Sequence, residues 1–420
     1  MRLHIKRLFF TVFASFLVMM MCNMVAYAVE ISFWHTGSQD EADAITTVAK
    51  DFTQKTGIKV KVQVFSWQES RTKFLTAIAA GMTPDIGTMG STWPTFFGVK
   101  GGMVDLVKEF PNESKKIIDN TFPGAMRPLT YKGSIYGVRY DMTTLLMYVR
   151  LDIFKELGLS VPTTWEELTA LIPKLKAEGK EFVIGWGNKE WIGAFPFIWQ
   201  AGGNVYTEDG LKSNLTSPEA VKGLRFFTDL YTKYGMPYAI LDAFTGFVTG
   251  DFPIMIDGDW ITPTLFTQAS DITGKWVVSM LPSGPAGNIG FIGGRSMGIF
   301  ASSKHKKEAM QFLTYITSPE AQKSIFDTIM KEGGGVLLSP NVKAWSIIGL
   351  ESGYARILKS QLDASQAPRF VIGGDESYQY LNDALNEVIL RGDDFDRAMG
   401  KADQKTNKQM KSTREELGVR

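Results

Sequence analysis

Ile58-Lys59-Val60-Lys61-Val62-Gln63-Val64-Phe65-Ser66-Trp67-Gln68-Glu69 is the stretch on which the fold turns. Ile58, Val60, Val62 and Val64 alternate with polar residues, the two-residue period of a half-buried strand, so a strand is expected over Ile58–Phe65. Ser66 and Glu69 then have the spacing of a capping box, in which the serine oxygen accepts from a first-turn amide and the glutamate reaches back. Phe74, Leu75 and Ile78 form the apolar face of the helix so begun, which should end at Gly81. Working upstream, Glu30–Trp34 alternate around Ile31 and Phe33 as a strand, and Asp40–Thr56 places Ile45, Val48, Ala49 and Phe52 on one helical face, stopped by Gly57. Downstream, Pro84-Asp85-Ile86 opens a third strand. Strands alternating with helices at this spacing imply an α/β chain with a parallel sheet covered by helices.

The whole chain has 420 residues, 44% hydrophobic and 21% charged, with 45 basic and 44 acidic side chains. That length suits about two domains. Balanced charge and 12% aromatics exclude a disordered chain and offer no basic excess to nucleic acid. Met1–Ala28 carries Arg2, Lys6 and Arg7, then an apolar run from Leu8 to Met21, then Ala26-Tyr27-Ala28. This is the layout of a secretory signal, so residues 1–28 are expected to be removed after Ala28 and the product exported in soluble form. The one cysteine, Cys22, leaves with that segment, and Met19-Met20-Met21 before it does not match a lipid-attachment site. The remaining 392 residues hold 42 basic and 44 acidic groups. They contain no second apolar run of the ~18–20 residues that span a bilayer. Without thiols, packing alone must hold the exported chain together.

The middle repeats the alternation. Thr164-Trp165-Glu166-Glu167 is a second capping box, before Leu168, Leu171, Ile172 and Leu175, and Ser217-Pro218-Glu219 opens a helix carrying Val221, Leu224, Phe227 and Tyr231. Phe182–Gly187 reads as a strand and Ala201-Gly202-Gly203-Asn204 as a turn. From Asp375 the pattern is helical, closing in a charged, weakly apolar stretch from Lys401. With no repeat and no low-complexity linker, the two domains should be joined by several short crossings.

Catalytic motifs are scarce. Gly294-Arg295-Ser296-Met297-Gly298 matches the G-x-S-x-G serine turn of hydrolases, but His305 follows with no acid between, so the segment reads as a glycine-rich crossing into a strand Met297–Phe300. After residue 28, two separated histidines, His35 and His305, and no thiol supply no zinc site, and no phosphate loop or dinucleotide fingerprint occurs. No cofactor and no metal are expected. Asp257-Gly258-Asp259 has the two carboxylates of a glycosidase, yet two aspartates flanking a glycine read more simply as a solvated turn.

Tryptophan is distributed unusually. All ten lie after residue 28, and Trp67, Trp93, Trp186, Trp191 and Trp260 sit beside glycines or at strand ends, outside the periodic apolar faces. Indole faces pack on the C–H faces of sugar rings, while carboxylate, amide and guanidinium groups bond the hydroxyls. Trp260 beside Asp259, Trp93 near Ser91, and Trp67 beside Gln68 and Glu69 offer that combination.

In order along the chain, several segments resemble the extracellular solute-binding proteins, family 1, of ABC importers, the maltose- and multiple-sugar-binding group. They are Ile31-Ser32-Phe33-Trp34; Ala79-Ala80-Gly81-Met82-Thr83-Pro84-Asp85-Ile86; Tyr131-Lys132-Gly133-Ser134-Ile135-Tyr136-Gly137-Val138; Pro162-Thr163-Thr164-Trp165-Glu166-Glu167-Leu168; Gly250-Asp251-Phe252-Pro253-Ile254-Met255 with Gly258-Asp259-Trp260; and Thr317-Ser318-Pro319-Glu320-Ala321-Gln322. The resemblance implies a periplasmic-binding-protein-like α/β fold, two α/β lobes joined by three crossing segments with the ligand cleft between them. The crossings would fall near Thr143–Leu145, Gly293–Ser296 and Thr328–Val336, giving one lobe from 29–143 plus 296–335 and another from 144–295 plus 336–420.

It implies a non-enzymatic periplasmic receptor, a monomer, that takes up a mono- or oligosaccharide and delivers it to the permease subunits of an ABC importer. Ligands of open α/β sheets lie beyond the carboxyl ends of the strands. That rule and the resemblance together select Ser38, Gln39, Trp67, Glu69, Ser91 and Trp93. Trp260 resembles the family's ring-stacking tryptophan, with Trp191 in a second ring-contact loop. Asp85, Asp141, Gly294, Arg295 and Arg369 complete the candidates, Asp85 as loop support, Gly294 and Arg295 at the second crossing, and Arg369 in the third segment. The chain departs from the family at Arg139, where proline is common, and at Val149-Arg150-Leu151-Asp152. Two rival readings are a secreted glycoside hydrolase using Asp257 or Asp259, and the same fold holding a polyamine, phosphodiester or metal chelate. Arg295 and Arg369 beside Glu69 leave a phosphorylated or acidic sugar open.

Overall fold

The computed structural model describes residues 29–185, 190–238, 242–331, 338–348, 353–374 and 377–419. The predicted leader lies outside them, as do Trp186 and Gly187 of the predicted strand and much of the third crossing. Twelve strands form among the described residues: β1 (Glu30–Thr36), β2 (Lys59–Phe65), β3 (Ile86–Gly90), β4 (Thr130–Tyr131), β5 (Ser134–Ile135), β6 (Val138–Arg139), β7 (Thr143–Arg150), β8 (Phe182–Ile184), β9 (Ile254–Gly258), β10 (Trp276–Ser279), β11 (Ile292–Gly293) and β12 (Arg295–Ile299).

The opening pattern folds as its periodicity dictates. β1 pairs in parallel with β2 from Glu30↔Lys59 to Thr36↔Phe65, and with β3 through Phe33↔Ile86. The helices Gln39–Thr56 and Trp67–Ala80 join them. β2 is the edge of a sheet ordered β2-β1-β3-β12-β6. It keeps Val60 and Val62 against the core and turns Lys59, Lys61 and Gln63 to water, and lysines on an edge discourage pairing with another chain. The sheet is mixed rather than wholly parallel, because β12 runs antiparallel to β3, Arg295 opposite Gly90. The reason is topological: the chain re-enters this sheet at the edge where β3 ends, so it must run back along β3.

The second sheet is ordered β10-β7-β9-β8, with β11 also pairing β7. β7 sends Leu145, Met147 and Val149 into one core and Leu146 and Tyr148 into another, so this sheet is covered on both faces. The first sheet likewise has Ile31, Phe33 and Ile299 on one side and Met89 with Phe74, Phe97 and Phe300 on the other. Among the described residues no core cluster takes strands from both sheets. The molecule is therefore two α/β lobes.

Two predicted capping boxes form differently. Thr164 Oγ1 accepts from the Glu167 amide at 3.2 Å, but the Glu167 carboxylate takes the Thr163 amide and hydroxyl at 2.7 and 2.8 Å, one residue earlier than expected. The Ser66 hydroxyl donates to Glu69 Oε2 at 3.1 Å instead of accepting from the backbone. The Ser217 cap forms, accepting from the Ala220 amide at 3.3 Å. The charged stretch after Lys401 belongs to the helix Phe395–Glu416, whose Ala402, Thr406, Met410 and Thr413 are buried.

Candidate functional site

β1, β2 and β3 are parallel, so the residues that follow them share one edge of the first sheet. Ser38 and Gln39 follow β1, Trp67 and Glu69 follow β2, and Ser91 and Trp93 follow β3. Trp67 and Trp93 meet edge to face, centroids 6.1 Å apart at 76°, and Trp67 remains 47% exposed. A Cβ on Gly90 would lie 2.7 Å from the Trp93 indole, so that ring needs a glycine beneath it. The Ser91 hydroxyl is buried and has no hydrogen-bond partner among the described residues. Ser38 and Gln39 are exposed, and the Gln39 amide nitrogen donates to Asp43 Oδ1 at 2.9 Å.

In the second sheet β8 and β9 run parallel, and Asp257, Gly258, Asp259 and Trp260 lie where β9 ends and β7 begins, Leu145 opposite Gly258. The Trp260 ring lies against Gly258, where an added Cβ would come within 2.1 Å of it, and packs at the margin of the second lobe's core. Trp191 sits in the first turn of the helix Glu190–Gln200, and its side chain lies outside the described residues. The two sheets join where these edges meet. Tyr140, Asp141 and Met142 carry the chain from β6 to β7, and Gly294 alone separates β11 from β12.

Gly294 has φ +101°, and a Cβ there would stand 2.6 Å from the Asp141 carbonyl oxygen. Its neighbour Arg295 is buried at the centre of an ion cluster. Nε donates to Asp141 Oδ2 at 2.8 Å, Nη1 to Thr36 O at 2.9 Å and Glu41 Oε2 at 2.6 Å, and Nη2 to Glu41 Oε1 at 2.6 Å and to Asp141 Oδ2. Those are all five guanidinium donors, so Arg295 has none left for a ligand and is a positioning residue instead. Asp141 is used up in the same way, Oδ1 accepting from the Arg295 amide. The Glu41 carboxylate also accepts from the Ser38 amide at 2.9 Å and meets His35 Nε2 at 3.2 Å. A carboxylate can only accept, so the ring proton of His35 belongs on Nε2, and Thr88 Oγ1 donates to Nδ1 across 2.8 Å. Burial pushes the Glu41 carboxyl up, but the bonds from Arg295 and His35 outweigh it and hold the group well below the usual carboxylate range. Burial pulls His35 below its ordinary value and so favours the neutral ring.

Asp85 supports its loop, Oδ2 accepting from the Ser32 amide and hydroxyl at 2.8 Å each and Oδ1 from Ser303 Oγ at 2.6 Å. Arg369 stands apart from the strand-end loops. It donates to Glu208 O at 2.5 Å and lines a separate cavity with Arg127 and Arg414. Ser296 of the G-x-S-x-G match is fully buried, its hydroxyl donating to Ser91 O at 3.3 Å.

The expectation of a solvated Asp257-Gly258-Asp259 turn is overturned: Asp257 is 6% exposed and Asp259 0%. Asp259 Oδ1 accepts from the Thr144 amide at 2.9 Å, tying β9 to the start of β7. Burial, against the Gly258 amide, pushes Asp257 up to about 7, and burial pushes Asp259 well above the carboxylate range. Sequence reasoning missed Glu41 at the centre of the cluster, although Ser38-x-x-Glu41 has the same spacing as Ser66-x-x-Glu69. Among the described residues no three His, Cys, Asp or Glu side chains gather as metal ligands, and no helix is long and apolar enough to cross a membrane.

The bacterial extracellular solute-binding protein profile matches residues 36–323. A binding protein of Brucella abortus is 28% identical over 272 residues, 62% of this chain and 64% of that relative, so the match spans less than two thirds of the relative's length. The lactose-binding protein of Rhizobium radiobacter is 24% identical over 392 residues, 88% of this chain and 85% of its own. Among solved structures, the sugar-binding protein MalE of Xanthomonas citri superposes with a TM-score of 0.83 at 24% identity, covering 93% of this chain and 100% of that one, a likeness of fold.

Proposed function

Because the chain belongs to the bacterial extracellular solute-binding protein family, we propose that it captures a mono- or oligosaccharide between its lobes and delivers it to the permease subunits of an ABC importer. The observation that carries this reading is the indole pair of exposed Trp67 and half-buried Trp93 beside the Ser91 hydroxyl, which has no partner among the described residues, at the carboxyl edge of the parallel strands β1 to β3. Aromatic faces and an unsatisfied hydroxyl are what a sugar's C–H faces and hydroxyls require. The lactose-binding relative, similar over most of both chains, supports the same ligand class.

In this reading Trp260 and Trp191 contribute from the second lobe, Ser38, Gln39 and Glu69 bond hydroxyls, and Gly294, Arg295, Asp141 and Asp85 hold the crossings and loops. The lobes are 29–143 plus 296–335 and 144–295 plus 336–420. The ligand biases an open/closed equilibrium, and the closed form is the one the permease accepts. The protein acts as a periplasmic monomer after cleavage following Ala28, and breaks no covalent bond. Titration calorimetry against a panel of mono-, di- and oligosaccharides tests it. At least one sugar binds, and Trp260→Ala weakens it by about ten- to a hundredfold, as losing roughly 1–3 kcal/mol of aromatic burial requires. A panel with no binder, or reducing ends released from an oligosaccharide, would refute it.

A further inference from the structure

A cavity of about 320 Å³ is lined on one side by Arg127, Tyr131 and Lys132, and on the other by Asp209 to Leu211, Arg369 to Ile372 and Arg414. Among the described residues, none from the loops that follow β1, β2, β3 or β9 lines it. Tyr131 and Phe370 meet edge to face at 5.7 Å, so its walls touch. Four basic side chains face one carboxylate there. That carboxylate spends one oxygen within its own loop, Asp209 Oδ1 accepting from Thr207 Oγ1 at 2.6 Å and the Leu211 amide at 2.9 Å, and its charge offsets part of that of Arg369.

Among the described residues, the hydrogen bonds of Arg369 and Arg127 go to neutral groups, backbone carbonyls and Gln366 Oε1 respectively, and one Arg414 nitrogen, the buried Nη1, has none. Burial, and then the charge of Arg369, pull Arg127 below its ordinary value. Like charges gathered from separate segments around an orphaned donor repel one another unless an anion lies between them.

We propose that this cavity is a binding site for a small phosphate-class anion, inorganic phosphate or a phosphomonoester, held by guanidinium groups from three segments of the chain. A planar guanidinium matches phosphate oxygens bidentately, and a dianion offsets more of this charge than one carboxylate does. The volume equals that of about ten waters, room for phosphate with part of its hydration shell or with a small alcohol moiety. The site goes beyond the sugar reading and does not depend on it.

The mature protein is titrated calorimetrically with inorganic phosphate and with glycerol phosphate, in parallel with sodium chloride at equal ionic strength. Saturable uptake is expected for at least one phosphate, with a rise in melting temperature that chloride does not reproduce. Uptake of inorganic phosphate alone assigns the site to the free ion, and stronger uptake of the ester assigns it to phosphomonoesters. Arg414→Gln and Arg127→Gln should each weaken uptake by roughly tenfold while leaving the sugar titration unchanged. Lys132→Gln, at an exposed position of the β4–β5 hairpin, serves if an arginine variant misfolds, with a loss of about threefold. No saturable uptake at millimolar phosphate, an equal effect from chloride, or full-strength uptake in the variants overturns the assignment. The sugar titration, run separately, reports on the receptor reading alone.

Discussion

Arg295 has its five donors on Thr36, Glu41 and Asp141, and it lies within a buried cluster. Removing one partner of such a cluster leaves its counter-charges buried and uncompensated, a loss of about 3–5 kcal/mol. Arg295→Gln is therefore expected to lower stability by that amount in urea unfolding, far more than loss of an exposed ion pair such as Lys55 with Asp51. The cluster also sets an acid limit. Glu41 is depressed in the folded state, so its contribution is present above the unfolded carboxylate value and fades as pH falls. Asp257 has the opposite sign. Its folded value of about 7 lies above the unfolded one of about 3.9. The folded protein therefore binds the proton more tightly, and stability falls as pH rises between those values, then levels off. Asp257→Asn should abolish that slope, leaving the variant more stable than the parent at pH about 8 and near parity at pH about 4, read from urea midpoints at each pH. Little of this was legible in the sequence. Arg295 and Glu41 are far apart along the chain, and a polar pair around a glycine gives no sign that both carboxylates will be buried.

At the scale of elements, the strands and helices legible in advance are those whose period is set by burial on one side. The region Ile58–Phe65 alternates because β2 is an edge strand with one wet face. The direction of β12 was not legible, since it depends on where the chain returns from the other lobe. That return passes through one residue. Gly294 at φ +101°, with the Asp141 carbonyl 2.6 Å from any Cβ, has neither the conformation nor the space for a side chain. Gly294→Ala is expected to cost about 1–3 kcal/mol and to shift the crossing, which thermal unfolding and sugar affinity report together. Unaltered values of both would mean that the crossing is not strained. Helix starts are gentler: Thr164→Ala removes one accepted amide bond and should cost about 1 kcal/mol.

The whole molecule places its candidate aromatic groups in different lobes, Trp67 and Trp93 at the edge of the first sheet and Trp260 at the edge of the second. Among the described residues the cores of those lobes share no strand, so no common core links Trp67 to Trp260. Substitutions at distant sites without shared partners ordinarily add. A ligand clamped between both lobes, as proposed, changes that, because contact with both surfaces is what shifts the equilibrium toward the closed form. Trp67→Ala and Trp260→Ala should then each forfeit part of the same closure energy. The double variant should lose less affinity than the two single losses added together, with a coupling of about 0.5–3 kcal/mol. Calorimetry with the best-bound sugar measures all four corners of the cycle, and small-angle scattering on the same samples reads the accompanying contraction. A sum that is strictly additive, with an unchanged radius of gyration, would mean that the sugar rests on one lobe and that the hinge takes no part in binding.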